Sequence, residues 1–261
     1  LMDMGVSGRL AIVTGGNAGI GFAIASVLVE EGAEVVINGR DADKLDAACR
    51  RLGPRAHGVV ADLTTAEGAT ALHAFAAGLG PIEFLVNNIG RFEPEDFFDI
   101  TDERWLDYFE ANLLSGIRIT RLVLREMLAR DSGSVAFIAS EAALRSLPQM
   151  VHYSTTKTAL LGLSRALAEL TRGTSVRVNA YLPGPTATES LLSSFTEQAQ
   201  QRGMATEEVL EEFFSTDMPD SLLQGLIDPR LHGRAVVQLM TNPAQNGTAQ
   251  RGDGGAVRSI I

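Results

Sequence analysis

Short apolar runs alternate with longer stretches of helical periodicity along the whole chain. The run RLAIVT (9–14) reads as a buried strand, and AGIGFAIASVLVEEG (18–32) has helical length and stops at Gly32. The β-branched run AEVVIN (33–38) precedes a helical pattern over 41–53 that stops at Gly53. AHGVVAD (56–62) predicts a third strand, 65–80 a third helix and IEFLVNN (82–88) a fourth strand. Thr101 can cap a long helix reaching about Ala129, and Asp102 and Glu103 suit its positive first turn. GSVAFIAS (133–140) is the fifth strand, 151–172 a helix ending at Gly173, and SVRVNAYL (175–182) the sixth strand. Polar and acidic helical sequence follows over about 189–216, then a helix around 232–241 and a short strand near 248–251.

Strands that carry little polarity and alternate with helices predict a parallel sheet covered on both faces. The expected fold is therefore α/β: one doubly wound, Rossmann-type sheet of about seven strands, with residues 1–261 forming one domain. No repeat, low-complexity stretch or linker divides it. In such sheets ligands bind beyond the carboxyl ends of the strands.

Composition narrows the function classes. Hydrophobic residues make up 45% and charged residues 21%, an ordinary globular balance. Cys49 is the one cysteine, which rules out an internal disulfide and suits a reducing compartment. The N-terminal stretch LMDMGVSGRLAIVTGG has no basic region followed by an apolar stretch and a cleavage site, and no apolar run is long enough for a bilayer. A cytoplasmic protein without membrane partners is the expectation. A net charge of −10 repels phosphate backbones and argues against nucleic acid. His57, His73, His152 and His232 are scattered without ligand-like spacing, so no metal site is expected.

Two constellations carry chemistry. TGGNAGIG (14–21) lies between the first strand and the first helix, with Gly15, Gly19 and Gly21 spaced G-x-x-x-G-x-G. Glycine permits a sharp turn and close approach of a ligand, and the helix N-terminus offers N–H groups to a pyrophosphate. In HYSTTK (152–157), Tyr153 and Lys157 lie one helical turn apart on one face. Tyrosine titrates near 10, too high for a good acid or base at neutral pH, and a neighbouring ammonium lowers that value. The pair thus reads as a phenol tuned for proton transfer.

The series TGGNAGIG, NNIG (87–90), Asn112, Ser140, YSTTK (153–157), PGPTAT (183–188) and DGG (253–255) resembles the short-chain dehydrogenase/reductase family in order and spacing. The resemblance implies a catalytic tetrad of Asn112, Ser140, Tyr153 and Lys157. In it Ser140 steadies the substrate oxygen, and Asn112 helps to place a water that relays protons to Lys157. It also implies contacts to a nicotinamide dinucleotide from Gly15, Asn17, Gly19, Ile20, Gly21, Asp62, Leu63, Asn87, Gly90, Tyr153, Lys157, Pro183, Gly184, Thr186 and Thr188. Where the family often has an acidic residue that marks NAD, this chain has Gly39 followed by Arg40. A guanidinium can bind a 2′-phosphate that a carboxylate would repel, so NADP is expected rather than NAD. The implied reaction is hydride transfer between the nicotinamide and a small-molecule carbonyl or secondary alcohol, with Tyr153 as acid/base. A catalytically idle dinucleotide-binding scaffold is the alternative, and a lyase or epimerase on the same scaffold is a third possibility.

Other segments shape the substrate. EAALRSLPQMV (141–151) joins Ser140 to the Tyr153 helix, so Leu144, Leu147 and Met150 are expected to form an apolar wall. Residues 189–220 match the family's substrate-covering region, and Leu191, Leu192, Phe195, Met204, Val209, Leu210, Phe213 and Phe214 are expected on the inner face of a lid. Three departures from the family pattern stand out. Glu141 replaces a small residue, Arg230 and Leu231 replace acidic ones, and Gly252 replaces a β-branched residue and should weaken the last strand. The resemblance also implies a homo-oligomer, tetramer or dimer, built partly on the Tyr153 helix through Ala159, Gly162 and Ala166.

Overall fold

The computed structural model describes residues 4–259; residues 1–3, which begin the N-terminal stretch read for a leader, and 260–261 lie outside the description. Seven parallel strands form one sheet: β1 (Leu10–Val13), β2 (Glu34–Gly39), β3 (Ala56–Val60), β4 (Ile82–Asn87), β5 (Ser134–Ile138), β6 (Arg177–Pro183) and β7 (Ala249–Gly252). Their order is β3-β2-β1-β4-β5-β6-β7, the expected doubly wound arrangement. The chain runs outward from β1 on one side and from β4 on the other. The crevice beyond the carboxyl ends of β1 and β4 is therefore the topological switch point where such sheets bind ligands.

The apolar runs form strands because both faces are covered. In β1 the side chains alternate between two cores: Leu10 and Ile12 join one with Leu72, Ile119 and Leu160, while Ala11 and Val13 join the other with Ile24, Leu28 and Val236. These partners belong to α3 (Ala66–Leu79), α5 (Ser115–Arg130) and α6 (Val151–Leu170) on one face, and to α1 (Gly19–Glu30) and α9 (Pro229–Thr241) on the other. Each fully buried leucine or isoleucine contributes roughly 1.5–3 kcal/mol. Among the described residues no helix is long and apolar enough to cross a membrane.

Side-chain caps set several helix starts. Asp41 accepts from Lys44 N at the head of α2 (Ala42–Leu52), and Thr65 accepts from Gly68 N before α3. Thr101 caps α4 (Asp102–Phe109) by accepting from Arg104 N, as its sequence position suggests. The long helix expected from Thr101 to Ala129 is interrupted by a π-turn at Glu110–Leu114, where the Ser115 N–H reaches back to Glu110 O; α5 follows. The polar stretch over 189–216 divides into α7 (Glu189–Arg202) and α8 (Thr206–Thr216), because Gly203 takes a left-handed conformation (φ 64°) that ends α7. The last helix begins at Pro229, earlier than its periodicity suggests, because Asp228 caps it.

Candidate active site

The glycine turn lies at the end of β1. Gly15 (φ 61°) and Gly19 (φ 54°) occupy the left-handed region that favours glycine. Gly21 is needed for space, since a Cβ there would stand 2.4 Å from the Asn88 amide. That amide donates to Thr14 O and Gly15 O, while Thr14 Oγ1 accepts from the Asn88 N–H at 2.9 Å. From β2, Asn38 accepts from Gly15 N (2.9 Å) and donates to Ala61 O. The turn is thus held by the ends of three strands. Helix α1 then starts with no side-chain cap and no acid in its first turn, so its N-terminal N–H groups stay available to an anion. Arg40 is exposed at the end of β2; the Asp62 carboxyl is held below its ordinary range chiefly by hydrogen bonds from Thr64, with Arg40 adding a smaller pull. This cradle fits the pyrophosphate and ribose of a dinucleotide.

Beyond β4 and β5 the polar residues of α6 and the π-turn meet. Lys157 is buried, 4% exposed, and donates to Ile138 O at 3.0 Å. Its Nζ lies 5.6 Å from the Tyr153 ring centroid, and Gly90 passes so close that a Cβ there would stand 3.1 Å from Nζ. Asn112 accepts from Arg91 N (2.7 Å) and donates to Arg91 O and Thr156 Oγ1, so both amide hydrogens are committed within the protein. Ser140 caps its own turn by accepting from Ala142 N, and donates to Glu141 Oε2 at 2.7 Å. Ser140 also favours the ionised form of the Tyr153 phenol.

The electrostatics differ from the sequence expectation. Burial raises the Tyr153 phenol above its ordinary value, the Glu141 carboxylate raises it further, and the Ser140 hydroxyl opposes both. Burial likewise pushes Lys157 down to about 8, against the pull of Glu141. The expected lowering of Tyr153 is therefore reversed, because the cost of charging a desolvated phenol beside the Glu141 carboxylate sets the direction.

The profile that describes the short chain dehydrogenase family matches residues 9–199. The chain belongs to the short-chain dehydrogenase/reductase family. It is 42% identical to the uncharacterized oxidoreductase YvrD of Bacillus subtilis, over 99% of this chain and all of that protein. Among solved structures, an L-sorbose reductase from Gluconobacter frateurii complexed with NADPH and L-sorbose superposes with a TM-score of 0.94 at 30% identity, covering 99% of this chain and 100% of that one. An actinorhodin polyketide ketoreductase variant with NADPH gives a TM-score of 0.87 at 29% identity over 97% of this chain and 98% of the other. The protein is an enzyme of the oxidoreductase class.

Against this family frame, the oxidoreductase uses its cofactor-segment residues in different ways. Ile20 lies half-buried in the first turn of α1, and the side chain of Asn17 lies 3.1 Å from a Cβ placed on Gly39. Asp62 accepts from Thr64 N and Oγ1 through one carboxylate oxygen. Thr188 caps α7 and abuts the glycine turn, its Cγ2 3.3 Å from a Cβ built on Gly19. Pro183 ends β6 opposite Gly252, and Gly184 lies against Asp253 so closely that a Cβ would come within 2.8 Å. Three side chains turn inward instead of facing the crevice. Leu63 is fully buried in the core, Asn87 donates to Thr120, and the Thr186 hydroxyl bonds Gly184 O and His232.

Packing explains the departures at Arg230 and Gly252. Arg230 forms a two-pronged pair with Glu30, tying α9 to α1. Gly252 leaves room for Tyr181, whose hydroxyl would lie 1.9 Å from a Cβ at that position. Tyr181 Oη in turn bonds His232 Nδ1 at 2.9 Å, and His232 Nε2 bonds Thr186 Oγ1 at 2.9 Å. Far from being lost, β7 pairs in register with β6. Sequence reasoning missed Thr14, Asn38 and Asn88 as the supports of the turn; their signal is a polar residue closing an apolar run. Leu144 and Leu192 are exposed, whereas Leu147 is buried. Arg145 donates to Asp217 O and approaches Met218 Sδ just past α8.

Proposed function

We propose that the enzyme is an NADP-dependent reductase that converts a small-molecule carbonyl to a secondary alcohol, with Tyr153 as the proton donor. The observation that carries this reading is the buried Lys157 ammonium beside Tyr153 and Ser140. Bound NADPH would supply the hydride. Tyr153, held neutral by its surroundings, gives its proton to the oxygen that receives negative charge, and Ser140 donates a hydrogen bond to the same oxygen. Among the described residues Lys157 Nζ has one hydrogen-bond acceptor, Ile138 O, and its remaining donors suit ribose hydroxyls and the ionised phenol.

Arg40, with Gly39 in place of an acid, supports NADP, and so does NADPH in both structural relatives. The L-sorbose of one relative puts ketoses first in a substrate panel. We further propose that residues 1–261 act as one domain and that α7 and α8, which share a small core of Phe195, Ala199 and Val209, form a lid. Assembly through α6 is favoured by the open space around Gly162, and a cytoplasmic site by the lone cysteine. The test is NADPH oxidation across a carbonyl panel by wild type and Tyr153→Phe. Loss of an acid–base group lowers the rate roughly 10²–10⁴-fold. An unchanged rate refutes the role of Tyr153, and NADPH binding without any turnover points to the idle scaffold.

A further inference from the structure

Glu141 is a buried carboxyl inside the proposed active site, 8% exposed, and no step above uses it. Its Oε2 lies 2.7 Å from Ser140 Oγ. The groups that face it are Ser140 and Arg145 from its own segment, Tyr153 and Lys157 from α6, and Asp253 from the turn after β7.

Ser140 has one proton and two lone pairs. The Ala142 N–H occupies one lone pair. If Glu141 is ionised it can only accept, so it takes the serine proton, and Ser140 has none left for a carbonyl oxygen. If Glu141 is protonated, its O–H can donate into the second lone pair, and the serine proton is free to point at the substrate. We propose that Glu141 is a positioning residue whose protonated form turns Ser140 into a hydrogen-bond donor toward the reacting oxygen. The proton stays on Glu141 throughout and is not transferred. Burial favours this form, since it raises the carboxyl above its ordinary range, with Asp253 adding to the rise and Ser140 and Arg145 opposing it.

This inference rests on the reductase reading, and the experiment separates the two. The reduction rate of wild type and Glu141→Gln is followed from pH 6 to pH 10. Glutamine keeps a donor toward Ser140 at every pH. Ionisation of one carboxyl removes activity tenfold per pH unit, so the variant-to-wild-type ratio is expected to climb tenfold per unit above that ionisation. A purely electrostatic role gives the opposite sign: removing the carboxylate takes away its support of the Lys157 cation, and the variant loses alkaline activity first. That result overturns the proposal. A second readout needs no turnover. The protonated carboxyl band of Glu141, assigned in infrared spectra by its loss in Glu141→Gln, is expected near neutral pH and should shift in Ser140→Ala. An ionised Glu141 at neutral pH, or a band indifferent to Ser140, refutes the proposal even if no substrate is turned over.

Discussion

Replacing Gly252 by alanine would put a methyl group 1.9 Å from Tyr181 Oη and 2.7 Å from its Cζ. The backbone at Gly252 is not left-handed, so the cost is spatial and not conformational. The Thr186 hydroxyl gives its single proton to Gly184 O and must accept from His232 Nε2–H. His232 Nδ1 is therefore the lone pair that accepts from Tyr181. Moving Tyr181 strands that acceptor in the interior, at about 1–3 kcal/mol, and overpacking adds a further amount of about 1–3 kcal/mol. Equilibrium urea unfolding of Gly252→Ala, Tyr181→Phe and the double variant measures both. The atom that clashes is the atom that bonds, so the double variant should be more stable than the summed losses by at least about 1 kcal/mol. Strict additivity, or a neutral Gly252→Ala, would refute the reasoning.

Arg40→Ala should raise the NADPH dissociation constant roughly 10–100-fold, the value of a charge-assisted hydrogen bond, and leave NADH nearly unchanged in a fluorescence titration. Equal weakening of both would reject the 2′-phosphate role. His232 is held down to about 4 by burial, so below the unfolded value of 6.5 the unfolded chain takes up a proton that the folded chain refuses. Its contribution is complete above pH 6.5 and is lost as pH falls toward 4, by roughly 3 kcal/mol. A urea midpoint that is flat across that window, after comparison with His232→Asn, would contradict this. The Glu30–Arg230 pair is about half exposed, so a double-mutant cycle should give a coupling below about 1 kcal/mol that shrinks with salt.

Much of the fold is legible in local pattern because β1 and its neighbours are buried on both faces and so read as unbroken apolar runs. Thr101 announces a helix start through the chemistry of its own side chain. The π-turn leaves no comparable mark, since one additional residue barely disturbs apolar spacing; the asparagine at 112 is its one trace. In the site, Tyr153 and Lys157 are recognisable because their relation is local. The direction of the Tyr153 shift is not, because burial comes from segments far along the chain. Gly252 illustrates the same limit. Alone it reads as a weak point in a strand, and its reason lies in Tyr181 and His232, which only the fold brings beside it.

The π-turn also sets a phase. Helices α4 and α5 follow each other along one rod, yet Glu110–Leu114 inserts a residue's worth of rotation between them, about 100°. On one side of the turn Trp105 and Tyr108 face His152; on the other Ile119 and Val123 face the sheet. A regular helix would satisfy only one of these faces. Deleting a single residue within 110–114 should therefore act like a wrench on a shaft, swinging Asn112 away from Arg91 and Thr156. Removing a whole turn elsewhere in the rod would shorten it without changing its angular setting.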